Sequence, residues 1–186
     1  MRVRPVAVVF LSLAFFSAPA TRGAESPYKG QERRPIKALS EEEVKGLLAG
    51  SGAVMGFAKA AELNHYPGPL HVLESASRLD LTEAQQAGAQ QLREDMKREA
   101  VPLGRQIVER ERELDARFAS QGIDEAALAA SLAEIGRLTA ALRFVHLKAH
   151  LKMREILTPH QIALYDRLRG YSSPGSPSGA GGHPGH

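Results

Sequence analysis

Two long stretches in the centre of the chain carry apolar residues at helical spacing. The first follows Thr82 and ends before Gly122, and the second runs from Asp124 to Ile156. Residues three and four apart lie on one face of an α-helix, so each stretch predicts a long amphipathic helix. Such a helix spans about 50 Å, which exceeds the size of a small compact bundle. No segment alternates like a strand, so an all-α fold built on a long helical hairpin is expected.

Three polar boxes predict where helices begin. Each box pairs a hydroxyl residue with a Glu or Gln three positions later, namely Ser40 with Glu43, Thr82 with Gln85, and Thr158 with Gln161. The hydroxyl accepts from the backbone N–H three residues on, and the longer side chain bonds back to the N–H of the capping residue. Helices are therefore expected to start directly after residues 40, 82 and 158.

The remaining boundaries follow from helix breakers. The first helix is predicted to run toward Leu63, a short helix to reach about Arg78, and the last helix to end at Gly170. Gly50, Gly52 and Gly56 lie inside the first of these, and each costs a helix about 1 kcal/mol relative to alanine. Two interpretations are open. In the first, the helix stays intact and the cost is offset, either because the glycines allow a neighbouring helix to approach closely or because they form an apolar surface that binds unfolded proteins. In the second, the helix breaks near residues 50–52.

The two ends of the chain differ from its centre in their residue composition. An apolar run from Val6 to Phe16 precedes Ala18-Pro19-Ala20, which predicts a signal peptide over residues 1–20 and export to the periplasm. Removing it lowers the formal net charge from +3 to +1, so the charge does not indicate nucleic-acid binding. Residues 21–39 are expected to be a flexible lead-in, residues 40–171 the helical domain, and residues 172–186, rich in Gly, Ser and Pro, a disordered tail.

Several chemistries are excluded or disfavoured by composition. Cysteine is absent, so neither disulfides nor thiolate ligands are available. No nucleophile stands at a recognisable spacing from a base, and neither a phosphate loop nor an HExxH motif is present. The chain is therefore not expected to be an enzyme.

The late long helix carries a histidine pair. His146 and His150 lie four residues apart, one above the other, and Met153 follows three residues later. Imidazole nitrogen suits Zn, Ni, Co and Cu, and the thioether of Met153 suits Cu(I) or a weak axial position. The alternative is structural, with His146 as a hydrogen-bonded residue at the edge of the core and Met153 inside the core.

Two of the polar boxes also carry a family resemblance. The sequences LTEAQ at 81–85 and LTPHQ at 157–161, in an exported helical chain without cysteine, resemble the periplasmic LTxxQ family. That family contains the Spy/CpxP-type chaperones and related heavy-metal sensor and resistance proteins. The resemblance implies a long curved hairpin of about four helices that dimerises.

The resemblance also suggests where further metal ligands would lie. The metal-sensing relatives use a His-x-x-x-Met pair on the late helix together with histidines and a glutamate from the first helices. In this chain the corresponding first-helix ligands would come from Glu62, His65 or His71. His71 could equally cap or pack its short helix.

These observations together predict a metal-responsive envelope stress protein of the heavy-metal sensor or resistance type. The alternative is an ATP-independent periplasmic chaperone for unfolded proteins, and a structural envelope adaptor is a third class. The expected partners are a second copy of the chain and either unfolded clients or an envelope signalling protein. Neither nucleic acid nor a membrane span after signal cleavage is expected.

Overall fold

The computed structural model describes residues 25–53 and 55–171, so the predicted signal peptide and the tail lie outside it. Residues 25–32 form a separate small unit of turns, with an ion pair of 3.0 Å between Lys29 and Glu25. Within the described residues from Arg33 onward the regular structure is helical: α1 Glu41–Leu48, α2 Lys59–Glu62, α3 Pro69–Glu74, α4 Glu83–Ala119, α5 Glu125–Ile156 and α6 Pro159–Arg169. The all-α class is therefore confirmed.

The predicted hairpin is formed by α4 and α5, which are 37 and 32 residues long and pack against each other. Their contact is apolar, with Ile107 and Val108 of α4 and Leu138 and Leu142 of α5 buried in one cluster. Asp124 begins α5 as its N-cap, and its side chain accepts from the N–H of Ala127 at 2.8 Å. No helix in the described ranges is both long and apolar enough to cross a membrane.

The first predicted helix is divided into two. The helix α1 ends at Leu48, Gly50 has a φ of +67°, and only the four residues of α2 return to helical geometry before Leu63. A left-handed residue after the last turn is the usual way in which glycine ends a helix. The break near residues 50–52 is thus the correct alternative, and α3 likewise ends earlier than predicted, at Glu74.

Part of the predicted lead-in belongs to the core. Ile36 and Leu39 are buried in the same cluster as Leu47 and Ile107, and Lys37 pairs with Asp115 of α4 at 3.0 Å. An isolated Ile and Leu among basic residues give no periodic signal, because they pack in an irregular segment. The ordered region therefore begins before Ser40.

The two Leu-Thr-x-x-Gln boxes meet at the open end of the hairpin. Thr82 and Thr158 are N-caps, and in both boxes the reciprocal bonds of a capping box are present. The amide groups of the two glutamines also bond to each other, Gln85 donating to Gln161 at 2.8 Å and Gln161 donating to Gln85 at 2.9 Å. Both amides donate further to backbone carbonyls, Gln85 to Ile156 and Gln161 to Leu79. The boxes thereby fasten α4 to α6.

Gly104 of α4 lies at a close approach between α1 and the hairpin. A Cβ at this position would overlap the carbonyl oxygen of Leu47, which is a rigid backbone atom. We expect Gly104→Ala to lower the free energy of unfolding by about 1 to 3 kcal/mol, because the core must shift to admit the methyl group. Gly136→Ala on α5 is the matched control, since nothing lies within 4 Å of its added Cβ. In urea titrations the control should gain up to about 1 kcal/mol. Equal effects of the two substitutions would contradict the close approach.

The glutamine pair predicts a measurable coupling. Gln85→Ala and Gln161→Ala should each be destabilising, because each leaves buried polar groups of the other box without a partner. In a double-mutant cycle the interaction free energy should be about 0.5 to 3 kcal/mol. Gln90→Ala, on the exposed face of α4, should not couple with Gln161→Ala. Additive effects of the first pair would show that the boxes act independently.

Candidate metal site

A cavity of about 510 Å³ lies among the loop after α1, the segment from α2 to α3, and the facing sides of α4 and α5. Four of the six candidate metal ligands named from the sequence line it, namely Glu62, His71, His146 and His150. The two histidines come from successive turns of α5, whereas Glu62 and His71 come from the short helices that follow the glycine-rich loop. The structure therefore gathers residues that are separated by about half of the chain.

His150 is held in one tautomer. Its Nδ1 lies 2.7 Å from the carbonyl oxygen of Tyr66, and because a carbonyl can only accept, the Nδ1–H is the donor. In the neutral ring the proton is then on Nδ1 and the lone pair is on Nε2. Metal-ligating histidines commonly use this arrangement, since the backbone acceptor orients the ring and raises the basicity of the other nitrogen.

His146 is buried and keeps a nitrogen without a partner. His146 is 4% exposed, and its ring stacks on Phe57 with the ring centroids 6.1 Å apart. Its Nε2 has no hydrogen-bond partner among the described residues. Burial, with a smaller contribution from nearby His150, lowers the pKa of His146 to about 4. The imidazole is therefore neutral at physiological pH, which is the state that can ligate a metal.

Two glycines make room for the histidine rings. A Cβ at Gly52 would lie 2.8 Å from Cδ2 of His146, and one at Gly68 would lie 2.9 Å from Cε1 of His150. Neither glycine is among the site residues predicted from the sequence. The available signal was the density of glycine between residues 50 and 56, which suggests a close approach or a helix break, and the Pro67-Gly68-Pro69 turn, which suggests a break alone; neither indicates a histidine ring as the neighbour.

Glu62 is the acidic residue of the cavity and is already engaged. Its carboxylate accepts from the hydroxyls of Tyr165 and Tyr171 and lies 3.4 Å from the guanidinium of Arg169. Burial and the bond to Glu62 raise the pKa of the Tyr165 hydroxyl, so Tyr165 remains a donor. One oxygen of Glu62 also approaches Nδ1 of His150, at 3.7 Å. Glu62 thus joins α6 to the histidine pair.

The other predicted ligands have different surroundings. His71 lines the cavity, but its Nδ1 lies 2.9 Å from the carboxylate of Glu74. His65 bonds to Asp166 at 2.7 Å and does not line the cavity. Met153 is fully buried in an apolar cluster with Leu79 and Tyr165, where its side chain is part of the core. The structural alternative for Met153 is therefore what the structure shows.

The donor set fits a metal only in part. Two imidazoles one helical turn apart, one of them neutral and with an orphaned buried nitrogen, suit a borderline transition metal. Across residues 25–53 and 55–171, however, no group of three or more His, Asp, Glu or Cys side chains is arranged to hold a metal ion. The protein residues can therefore supply two nitrogens, and a complete coordination shell requires further donors.

The fold is a long two-helix hairpin whose open end is fastened by paired capping boxes. A histidine-lined cavity lies against its two long helices. The chain is therefore a helical-hairpin protein with potential metal ligands. Residues 46–163 match the model of the heavy-metal resistance family, and the chain belongs to that family, the periplasmic LTxxQ, Spy/CpxP-like family whose motifs it carries. No curated protein and no solved structure matched the chain.

The buried imidazole of His146 predicts a specific pH dependence of stability. In the unfolded chain the imidazole of His146 has a pKa of about 6.5, whereas in the folded chain its pKa is about 4. As the pH falls between these values, the unfolded state binds more protons, so the folded state should lose roughly 2 to 3 kcal/mol. Urea titrations across this range should show that His146→Leu lacks this loss, while His160→Leu, an exposed control, retains it. Parallel pH profiles for all three proteins would contradict the assignment.

Proposed function

We propose that the protein binds a transition metal through the Nε2 atoms of His146 and His150 and acts as a metal sensor or buffer in the cell envelope. The observation that carries this proposal is the orphaned Nε2 of His146, one helical turn from an imidazole whose tautomer leaves Nε2 free. Membership of the heavy-metal resistance family supports it. We further infer a binding function without catalysis, since the sequence carries no recognisable catalytic motif.

The geometry favours reversible binding over permanent structural binding. Structural zinc sites use four protein ligands, whereas sites that exchange a ligand keep open positions. Two histidines from one helix leave most positions open, so a bound metal would remain exchangeable. When bound, the metal would supply Lewis acidity and a charge at the cavity wall. The residues of the chain would orient the imidazole of His150 through the carbonyl of Tyr66 and keep His146 neutral by burial.

Calorimetry tests the pair directly. With Zn, Ni, Co or Cu salts, His146→Ala and His150→Ala should each weaken binding by at least about tenfold, while helix content measured by circular dichroism stays unchanged. The parent chain for all variants carries asparagine at the tail positions His183 and His186, so that loose binding there does not contribute. His160→Ala is the matched control on the exposed face of α6 and should bind like the parent. Equal affinity in both site variants would exclude these ligands.

A second function, chaperoning, is favoured by an apolar stripe on α5. Phe144 and Leu151 are 64% and 53% exposed, and Leu147 between them is half-buried. Positions 144, 147 and 151 share one helix face, so the three side chains form a continuous strip. Such strips mark surfaces that contact other proteins. An unfolded client or the partner copy in the expected homodimer would find an apolar contact here.

The chaperone hypothesis predicts metal-independent activity. In the presence of a chelator, the protein should suppress aggregation of an unrelated unfolding protein, and Phe144→Ser with Leu151→Ser should abolish that suppression. Leu63→Ser is the control, since Leu63 is equally exposed but lies at the end of α2. Sedimentation of the same variants separates loss of client binding from loss of a dimer. Failure of the unmodified protein to suppress aggregation at several-fold molar excess would exclude this function.

A further inference from the structure

We propose that the histidine cavity takes its metal as an anionic chelate, a transition metal already bound by a small carboxylate-bearing molecule, in preference to the bare hydrated cation. This inference rests on the proposed function and names the chemical form of the metal that the site would accept. Three independent features of the cavity carry it: the sign of its charge, the number of its donors and its size.

The charge of the cavity opposes a free divalent cation. Four basic side chains line it, Lys59, Arg93, Lys97 and Arg169, against the single carboxylate of Glu62. Arg169 is paired with Glu62, so the negative charge is already compensated. Lys59, Arg93 and Lys97 form no ion pair with any carboxylate of the described residues. A cleft lined by one sign of charge concentrates ligands of the opposite sign and repels those of its own.

The donor count points in the same direction. His146 and His150 can supply two nitrogens, and the described residues bring no third His, Asp or Glu into a metal-binding group with them. Octahedral or square-planar metals need two to four further donors. A chelator that carries carboxylates supplies those donors and leaves positions for the two imidazoles. Its outer oxygens would face the guanidinium of Arg93 and the ammonium of Lys97, with which carboxylates form charge-assisted hydrogen bonds.

The size of the cavity fits such a complex. Its volume of about 510 Å³ falls within the range of about 300 to 1,000 Å³ that is typical of small-molecule sites. A metal ion together with six waters, at about 30 Å³ each, would occupy less than half of it. The glycines of the loop over His146, Gly50 and Gly52, add no side chains that would reduce this space.

Two nickel complexes with the same open positions and opposite charge test the inference. Nickel nitrilotriacetate is an anion and nickel tris(2-aminoethyl)amine is a cation, and each leaves two adjacent positions for imidazole. Calorimetry on the full chain with asparagine at positions 183 and 186 should show at least about tenfold tighter binding of the anionic complex, with a preference that declines as salt is added. A shift of the visible nickel absorption bands should report imidazole ligation in both cases.

Matched variants separate the effect of the basic residues of the cavity from the effect of the imidazole ligands. Arg93→Gln combined with Lys97→Gln should reduce the preference for the anionic complex to about threefold or less, while Arg105→Gln, on α4 but outside the cavity lining, should leave it unchanged. His146→Ala should abolish the absorption shift.

Equal affinity for the two complexes, or equally tight binding of nitrilotriacetate without nickel, would overturn this inference. If nickel binds through His146 with no preference for the anion, the proposed function stands and only the inference fails. If no form of nickel depends on His146, the proposed function fails.

Discussion

The reciprocal amide pair between Gln85 and Gln161 is the interaction on which the arrangement of the helices depends. Each glutamine closes its own capping box and also donates to a backbone carbonyl, so the hydrogen-bonding capacity of both side chains is used. Because one box opens α4 and the other opens α6, the pair fixes the end of α5 between them. Buried polar networks of this kind specify one arrangement, since partial satisfaction leaves unpaired groups at a cost of about 1 to 3 kcal/mol each.

The geometry of the histidine cavity depends on the contact between Gln85 and Gln161. With α6 fastened to the start of α4, Tyr165 and Arg169 reach Glu62, and Glu62 in turn lies beside His150. The backbone from α2 to α3 supplies the acceptor for His150 at Tyr66 and passes over the ring at Gly68. The histidines thus lie on a rigid helix, while the groups that orient and cover them lie on shorter segments. For the proposed metal site, this places the candidate ligands on regular helix and their supporting groups on loops and short helices.

What the sequence predicted well is local. Capping boxes, helix period and the placement of His146 above His150 depend on residues three or four apart, and these predictions agree with the helices as they stand. What it did not predict depends on contacts across the chain, namely the burial of Ile36 and Leu39 and the close approach at Gly104. For Met153 the sequence left a metal ligand and a core residue both open, and the core position is the one observed. The glycine-rich stretch was ambiguous because helix cost alone does not say what lies against it. Its role as the cover of His146 is tertiary information.

His146 is a destabilising choice for a purely structural position. A buried nitrogen without a partner costs about 1 to 3 kcal/mol, and a leucine in the same place would avoid that cost. Violations of this kind are expected at functional sites, where stability is given up for a reactive group. A ligand that bonds to the orphaned Nε2 removes the penalty and binds only the folded state, so it stabilises the fold in proportion to its concentration. If the cavity binds a metal as proposed, the burial that keeps His146 neutral also makes the stability of the fold depend on the occupant of the cavity.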